Sequence, residues 1–170
     1  MKHLLATLII ALMAIGATAQ ETVIVDMQYV MKAIPAFETA NEQIETLSKK
    51  WEAEVEEILV DVQNMYKNYQ TELVFLSDDQ KRKREDEILS REQEAEDLKR
   101  KYFGTDGELF KKREALLKPI QDEIFNAAQE LSKEKGYDMI LDKASSRNII
   151  YSSPKLDISD ELLEKLGYSK

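Results

Sequence analysis

The chain has 170 residues, 33 of them acidic and 24 basic, with a formal charge of −9, a single histidine and no cysteine. That acidity argues against general binding to nucleic acid or to an anionic membrane surface, and the lack of cysteine excludes disulfides and thiolate metal sites. The lone His3 falls in a leader segment, so the rest of the chain has no Ser-His or Cys-His pair for nucleophilic catalysis.

The leader comes first. Lys2 and His3 precede an apolar run from Leu4 to about Ile15, followed by Ala17-Thr18-Ala19. A short positive region, an apolar core and an A-x-A triplet make a secretory signal peptide, and the run is shorter than the ~20 residues of a membrane-spanning helix. Cleavage after Ala19 is expected. Losing Lys2 takes the formal charge to −10, and without a cysteine to accept lipid the mature chain is expected to be soluble and held by packing alone.

Thr22 to Val25 (TVIV) is a continuous β-branched apolar run and predicts a buried strand. Asp26 can cap a short helix over Met27 to Ala33, which Pro35 stops at Ile34.

From Ala36 the pattern lengthens. Phe37, Ala40, Ile44, Leu47, Trp51 and Val55 are followed by Ile58, Val62, Met65, Tyr69, Leu73 and Leu76. The steps are all three or four residues, which is the spacing of a coiled-coil seam. One helix of roughly 40 residues, about 60 Å long, is predicted. Ser77-Asp78-Asp79-Gln80 then has the S-x-x-Q spacing of a capping box, so a second helix begins there. Between Asp78 and Lys101 acids and bases dominate, with apolar positions reduced to Ile88, Leu89, Ala95 and Leu98. A narrow seam of that kind lies against the first helix, and the reversal at Ser77 predicts an antiparallel hairpin.

Lys81-Arg82-Lys83-Arg84 could suggest a nucleic-acid contact. Glu85, Asp86 and Glu87 follow at once, however, and the block is read as a local positive collar at the hairpin tip. Gly104 and Gly107 mark a soft point, with Thr105 to Glu108 able to recap the helix. The apolar stripe Leu109, Leu116, Ile120, Ile124, Ala127 and Leu131 continues to a stop at Gly136, and Pro119 inside it predicts a kink.

Two more strands are predicted, Tyr137 to Leu141 and Asn148 to Tyr151, and then a last helix over Asp160 to Leu166, capped by Asp157 or Ser159 and closed by Gly167. Three short strands and two short helices make a body too small to bury its apolar faces within one chain, so self-association is expected. The fold class is mainly α with a small β body (α+β). The expected division is 1–19 leader, 20–35 and 119–170 body, and 36–118 helical arm.

These residues resemble the Skp/OmpH periplasmic chaperones. The resemblance rests on VIVDMQYVMKAIP at 23–35, on LSDDQKRKREDEIL at 76–89, and most specifically on the segment from Leu116 to Leu166. It implies a periplasmic homotrimer in which strands of three chains form a small barrel and helical arms surround a cavity for unfolded outer-membrane proteins. It also implies ATP-independent holding with no enzymatic activity and no cofactor, and no G-x-x-x-x-G-K phosphate loop occurs in the sequence. The best-known members are strongly basic while this chain is acidic, so no lipid-binding residues are carried over.

Oligomerisation is expected through Val23, Ile24, Val25, Met139, Ile140, Leu141, Ile149 and Ile150. The arm seam is expected at Ile44, Leu47, Trp51, Val55, Ile58, Val62, Met65 and Tyr69, with Gly104, Gly107 and Pro119 as hinge. Tyr66, Val74 and Phe75 lie off the seam and are candidates for client contact. A structural coiled-coil spacer or adaptor is the alternative function, one that would bind a single folded partner.

Overall fold

The computed structural model of the chain describes residues 21–146 and 148–168; the expected leader over 1–19 lies outside them. The chain divides into two compact units, at Ala33/Ile34 and again at Asp122/Glu123.

In the unit formed by the two ends of the chain, strand β1 (Thr22–Val25) pairs in parallel with β2 (Met139–Asp142), Thr22 opposite Met139 and Val25 opposite Asp142. Val23, Ile24 and Val25 are all buried. Successive strand residues point to opposite faces, so both faces of β1 are covered, as its unbroken apolar run requires. Helix α1 (Met27–Ala33) follows, started by Asp26, whose Oδ1 accepts the Tyr29 N–H at 2.9 Å. It packs on the last helix through Val30 and Leu162, both fully buried.

Strand β2 begins two residues later than expected. Gly136, at φ 83°, ends the preceding helix, and Tyr137 is spent on that cap: its N–H reaches Ser132 O at 3.1 Å, while Ser132 Oγ donates to Tyr137 O.

The expected third strand over Asn148 to Tyr151 is not formed, which corrects the sequence reading to a two-stranded sheet. The second side of β1 is taken instead by the residues before the last helix. Asp157 bridges Ile24, and Ile158 N–H donates to Ile24 O at 2.9 Å. Asp142 meanwhile accepts the Ala144 N–H at 2.9 Å and the Met27 N–H at 3.2 Å, fixing a turn directly after β2. An apolar run becomes a strand only where an edge receives it. Ile150 is consequently 100% exposed and Tyr151 84%.

A polar cluster ties these pieces together. Lys143 Nζ lies 2.6 Å from Asp157 and 3.5 Å from Asp26; Ser159 Oγ donates to Asp157 and accepts the Asp26 N–H at 2.8 Å. Burial alone would raise the Asp157 carboxyl, yet hydrogen bonds from Lys143 and Ser159 hold it below its ordinary value. Asp142 is lowered in the same way: burial opposes, and the Ser145, Ala144 and Met27 donors prevail.

In the unit over Ile34–Asp122, Pro35 forces Ile34 to extended geometry and also opens helix α2 (Pro35–Glu72) as its first residue. At 38 residues α2 is about 57 Å long. It ends at Glu72 and not at Leu76, because Phe75 N–H turns back to Glu72 O and Ser77 must be extended to cap helix α3 (Asp78–Phe103). The capping box is complete: Gln80 N–H donates to Ser77 Oγ at 3.4 Å and Ser77 N–H to Gln80 Oε1 at 2.9 Å. Helix α4 (Glu108–Lys135) follows a break at Gly104–Gly107, with Pro119 in its interior. It runs on into the first unit, where Lys165 of α5 (Ser159–Lys165) bridges Glu130 and Glu134.

Helix α3 lies against α2 from Trp51 to Glu72. Tyr69 donates to Glu85, Arg91 pairs with Asp61 at 2.6 Å, and Tyr102 donates to Glu54 at 2.6 Å, so numbers fall along one helix as they rise along the other. Val55, Ile58 and Val62 are buried on α2, and Ile88 and Ala95 on α3. Each large side chain among these stabilises by about 1.5–3 kcal/mol, while exposed ion pairs contribute little. The apolar positions therefore decide the association.

Two outcomes are expected. Ile88→Ala removes the largest buried side chain of α3 and lowers stability by about 2–4 kcal/mol in urea unfolding followed by circular dichroism, with Arg91→Ala costing several-fold less. Asp142 and Asp157 titrate below their ordinary 3.8 in the folded chain, so the unfolded chain binds more protons. Their stabilisation is then full above pH ~4 and lost as pH falls through the folded values. Melting midpoints measured between pH 6 and 2.5 should fall at the acid end, and less steeply in Asp157→Asn.

Candidate functional site

The most exposed apolar side chains of the Ile34–Asp122 unit lie where α2 turns into α3. The turn follows from the two helix ends: α2 closes at Glu72, Ser77 starts α3, and Leu73 to Leu76 between them belong to neither helix. Val74 is 81% exposed and Phe75 86%. Both sit on the turn itself and not on the side of α2, as the expected helix to Leu76 would have had them.

Tyr66 is on α2, exposed and clear of the buried seam. The three residues picked out from the sequence thus form a string along the helix end and the turn. Leu59 and Leu73 join them and were not singled out from the sequence, Leu73 having been assigned to the seam. The signal that finds them is spacing: 59, 66 and 73 are seven apart, two helical turns, and so share one face.

The charge around the turn is net acidic rather than positive. Lys81 to Arg84 supply four bases, but Glu72, Asp78, Asp79, Glu85, Asp86 and Glu87 supply six acids in the same stretch. Arg84 lies 3.6 Å from both Glu72 and Glu87, and Lys81 3.6 Å from Asp78. Arg82 and Lys83 line a shallow groove with Asp79, Asp86 and Glu87. The expected positive collar is corrected to a compensated one, with Lys81 and Arg84 paired to acids and Arg82 and Lys83 set among Asp79, Asp86 and Glu87.

Along the seam, Ile44, Val55, Ile58 and Val62 are buried, while Leu47, Trp51, Met65 and Tyr69 are half-buried. Trp51 stacks on Tyr102, ring centres 4.7 Å apart and planes within 7°. The hydrogen bond to Glu54, with burial and the Glu54 charge behind it, pushes the Tyr102 phenol up.

Two residues beyond Tyr102 the helix breaks. A side chain at Gly104 would put its Cβ 2.4 Å from Arg100 O, and one at Gly107 would put its Cβ 2.7 Å from Tyr102 O. Both glycines are fixed by close backbone approach, and Gly107 N–H closes the turn on Gly104 O at 2.9 Å. Pro119, the third expected hinge residue, lies within α4.

In the unit of the chain ends, Val23, Ile24 and Val25 are buried by the chain itself, Ile140, Leu141 and Ile149 are half-buried, and Met139 and Ile150 are exposed. Strand β2 is paired on one side only among the described residues. An open cleft of about 530 Å³ beside Asp26, Lys143 and Asp157 brings carboxylates together, but each already bonds to Lys143 or to Ser159 and its neighbours. Among the described residues no helix is long and apolar enough to cross a membrane.

Comparison with known proteins accords with this arrangement. Among curated proteins nothing matches. In the solved structures the chain is similar to a candidate outer membrane chaperone (OmpH-like) from Caulobacter crescentus CB15, with a TM-score of 0.67 at 12% identity, over 89% of this chain and 86% of that one. At that identity the likeness establishes a shared fold. A family model, that of the outer membrane protein (OmpH-like) family, matches residues 21–166, nearly all of the described chain. The chain belongs to the OmpH-like family.

Proposed function

We propose that the chain is an ATP-independent holdase of the periplasm, which keeps unfolded outer-membrane β-barrel proteins from aggregating. The observation that carries this reading is the exposure of Val74 and Phe75 on the turn between two long helices, in a member of the OmpH-like family. A folded chain gains nothing from holding a valine and a phenylalanine in water, and exposed apolar groups of this kind mark contact sites. The name of the Caulobacter relative, an outer membrane chaperone, supports the same reading.

In this account α2 and α3 form an antiparallel hairpin arm, and Tyr66, Val74 and Phe75 touch the client. Copies assemble as a homotrimer through the sheet-containing unit, where the open edge of β2 and the exposed Met139, Ile150 and Tyr151 meet a neighbouring chain. An unpaired edge beside exposed apolar side chains is a template for strand addition. The arms of the copies enclose a cavity, and the Gly104–Gly107 break and Pro119 let it adapt to clients of different size.

Each apolar contact of ~100 Å² contributes about 2.5 kcal/mol. Many such contacts hold a client, yet none traps it. Release then requires only that folding in the outer membrane be worth more than the sum, so no nucleotide is needed. Catalysis finds no comparable support. A general acid at neutral pH needs a raised carboxyl pKa, whereas Asp142 and Asp157 are both lowered.

Light-scattering mass tests the assembly. The mature chain should run as a trimer and form a 1:1 complex, one trimer to one urea-diluted barrel protein; a monomer that leaves client turbidity unchanged overturns the proposal, and binding restricted to one folded partner favours a coiled-coil spacer. The double substitution Val74→Ser/Phe75→Ser should reduce protection several-fold at unchanged helicity and unchanged mass. If the helices melt instead, the pair belongs to the core.

A further inference from the structure

The exposed apolar residues of α2 continue into a face with a second character. Reading back from Leu73 in alternating steps of three and four gives Gln70, Tyr66, Gln63 and Leu59. The same steps then give Glu56, Glu52, Lys49, Glu45, Glu42 and Glu38. All of these positions are exposed, and steps of three and four keep them on one side of the helix, so they form one solvent-facing stripe.

The stripe is divided. From Leu59 to Leu73 it holds no charge, and its apolar members are 38–43% exposed and lead directly to Val74 and Phe75. From Glu38 to Glu56 it is acidic apart from Lys49, which lies 2.6 Å from Glu45 and is neutralised by it. Among the other four, Glu52 accepts a hydrogen bond from Ser48 Oγ at 2.9 Å, which leaves its charge in place.

We infer that this face is a two-part docking strip for an extended client segment that carries an apolar stretch flanked by basic residues. The inference rests on the holdase reading and adds the charge of the segment held. The apolar half is about 21 Å long and the acidic half about 27 Å, at 1.5 Å per helical residue, lengths that about six and eight residues of extended chain span. Apolar side chains of the client cover Leu59, Tyr66, Leu73, Val74 and Phe75, and its lysines and arginines meet the glutamates. Acidic segments are repelled by the strip and by the net charge of the whole chain. Four carboxylates lined up on one helix face form a local field that attracts cations at short range and fades as salt shortens the screening length from about 10 Å at 0.1 M to about 3 Å at 1 M.

The experiment uses the mature protein and three fluorescent 16-residue peptides that share one alternating apolar centre and carry lysine, serine or glutamate flanks. Affinity is read by anisotropy at 50 mM and 1 M salt. At low salt the lysine-flanked peptide should bind about tenfold tighter than the serine-flanked one, and the glutamate-flanked peptide weaker than both, with the spread closing at 1 M. Glu42→Gln/Glu52→Gln/Glu56→Gln should abolish the preference while leaving the serine-flanked affinity and the helicity unchanged.

Equal affinity for all three peptides, or a preference that survives the triple substitution, overturns the inference and leaves the holdase reading standing. Failure to bind any peptide, together with failure to protect any unfolded barrel protein, overturns both.

Discussion

Two helices rich in charge are held together by a seam only one residue wide. Ala40, Ile44, Val55, Ile58 and Val62 are the buried residues of α2 and Ile88 and Ala95 those of α3, and most of the remaining residues of the two helices are exposed. That economy has a consequence for function. A wider apolar stripe would bury more surface and leave each helix committed to its partner; the narrow one leaves a second face of α2 free along its whole length. The polar contacts beside it, Arg91 with Asp61 and Tyr102 with Glu54, set the register of one helix on the other more than they add stability.

The sheet-containing unit meets a different constraint. A strand with two apolar faces has to be covered on both and paired along its edges. β1 achieves this inside the chain, with β2 on one side and Asp157–Ile158 on the other, and the Lys143, Asp26, Asp157 and Ser159 cluster fixes the second pairing. β2 does not achieve it. Its outer edge is open among the described residues, and Ile150 and Tyr151 lie unburied a few residues on. The unit is closed around β1 and unfinished around β2, and the assembly proposed above uses the unfinished side.

Much of this was legible in the sequence where a local rule decides the outcome. The TVIV run, the Asp26 cap, the Ser77 capping box and the Gly136 stop each depend on a few adjacent residues, and each stands where those residues put it. What was not legible depended on competition between distant segments. Asn148 to Tyr151 has a strand's composition, but whether it pairs depends on Asp157 reaching Ile24 first and on Asp142 closing a turn, and no local pattern reports either. At the turn of the long helices two neighbouring local rules conflict instead. The apolar period runs through Leu73 to Leu76, yet the helix stops at Glu72 because the cap of the next helix governs the residues before it. The candidate site was half visible: Tyr66, Val74 and Phe75 stood out as apolar residues off the seam, whereas Leu59 and Leu73 emerge only once exposure separates a second stripe from the first.

The central claim is that an outward face of α2 and the turn beyond it hold unfolded chains. The most direct measurement is site-specific photo-crosslinking to an unfolded outer-membrane barrel protein, with the crosslinking residue placed at Tyr66, at Phe75, or at Asn64, which is exposed on another face of the same helix. Strong crosslinks from positions 66 and 75 with little from 64 are what the account predicts. Equal yields from all three, or a maximum at 64, would contradict it.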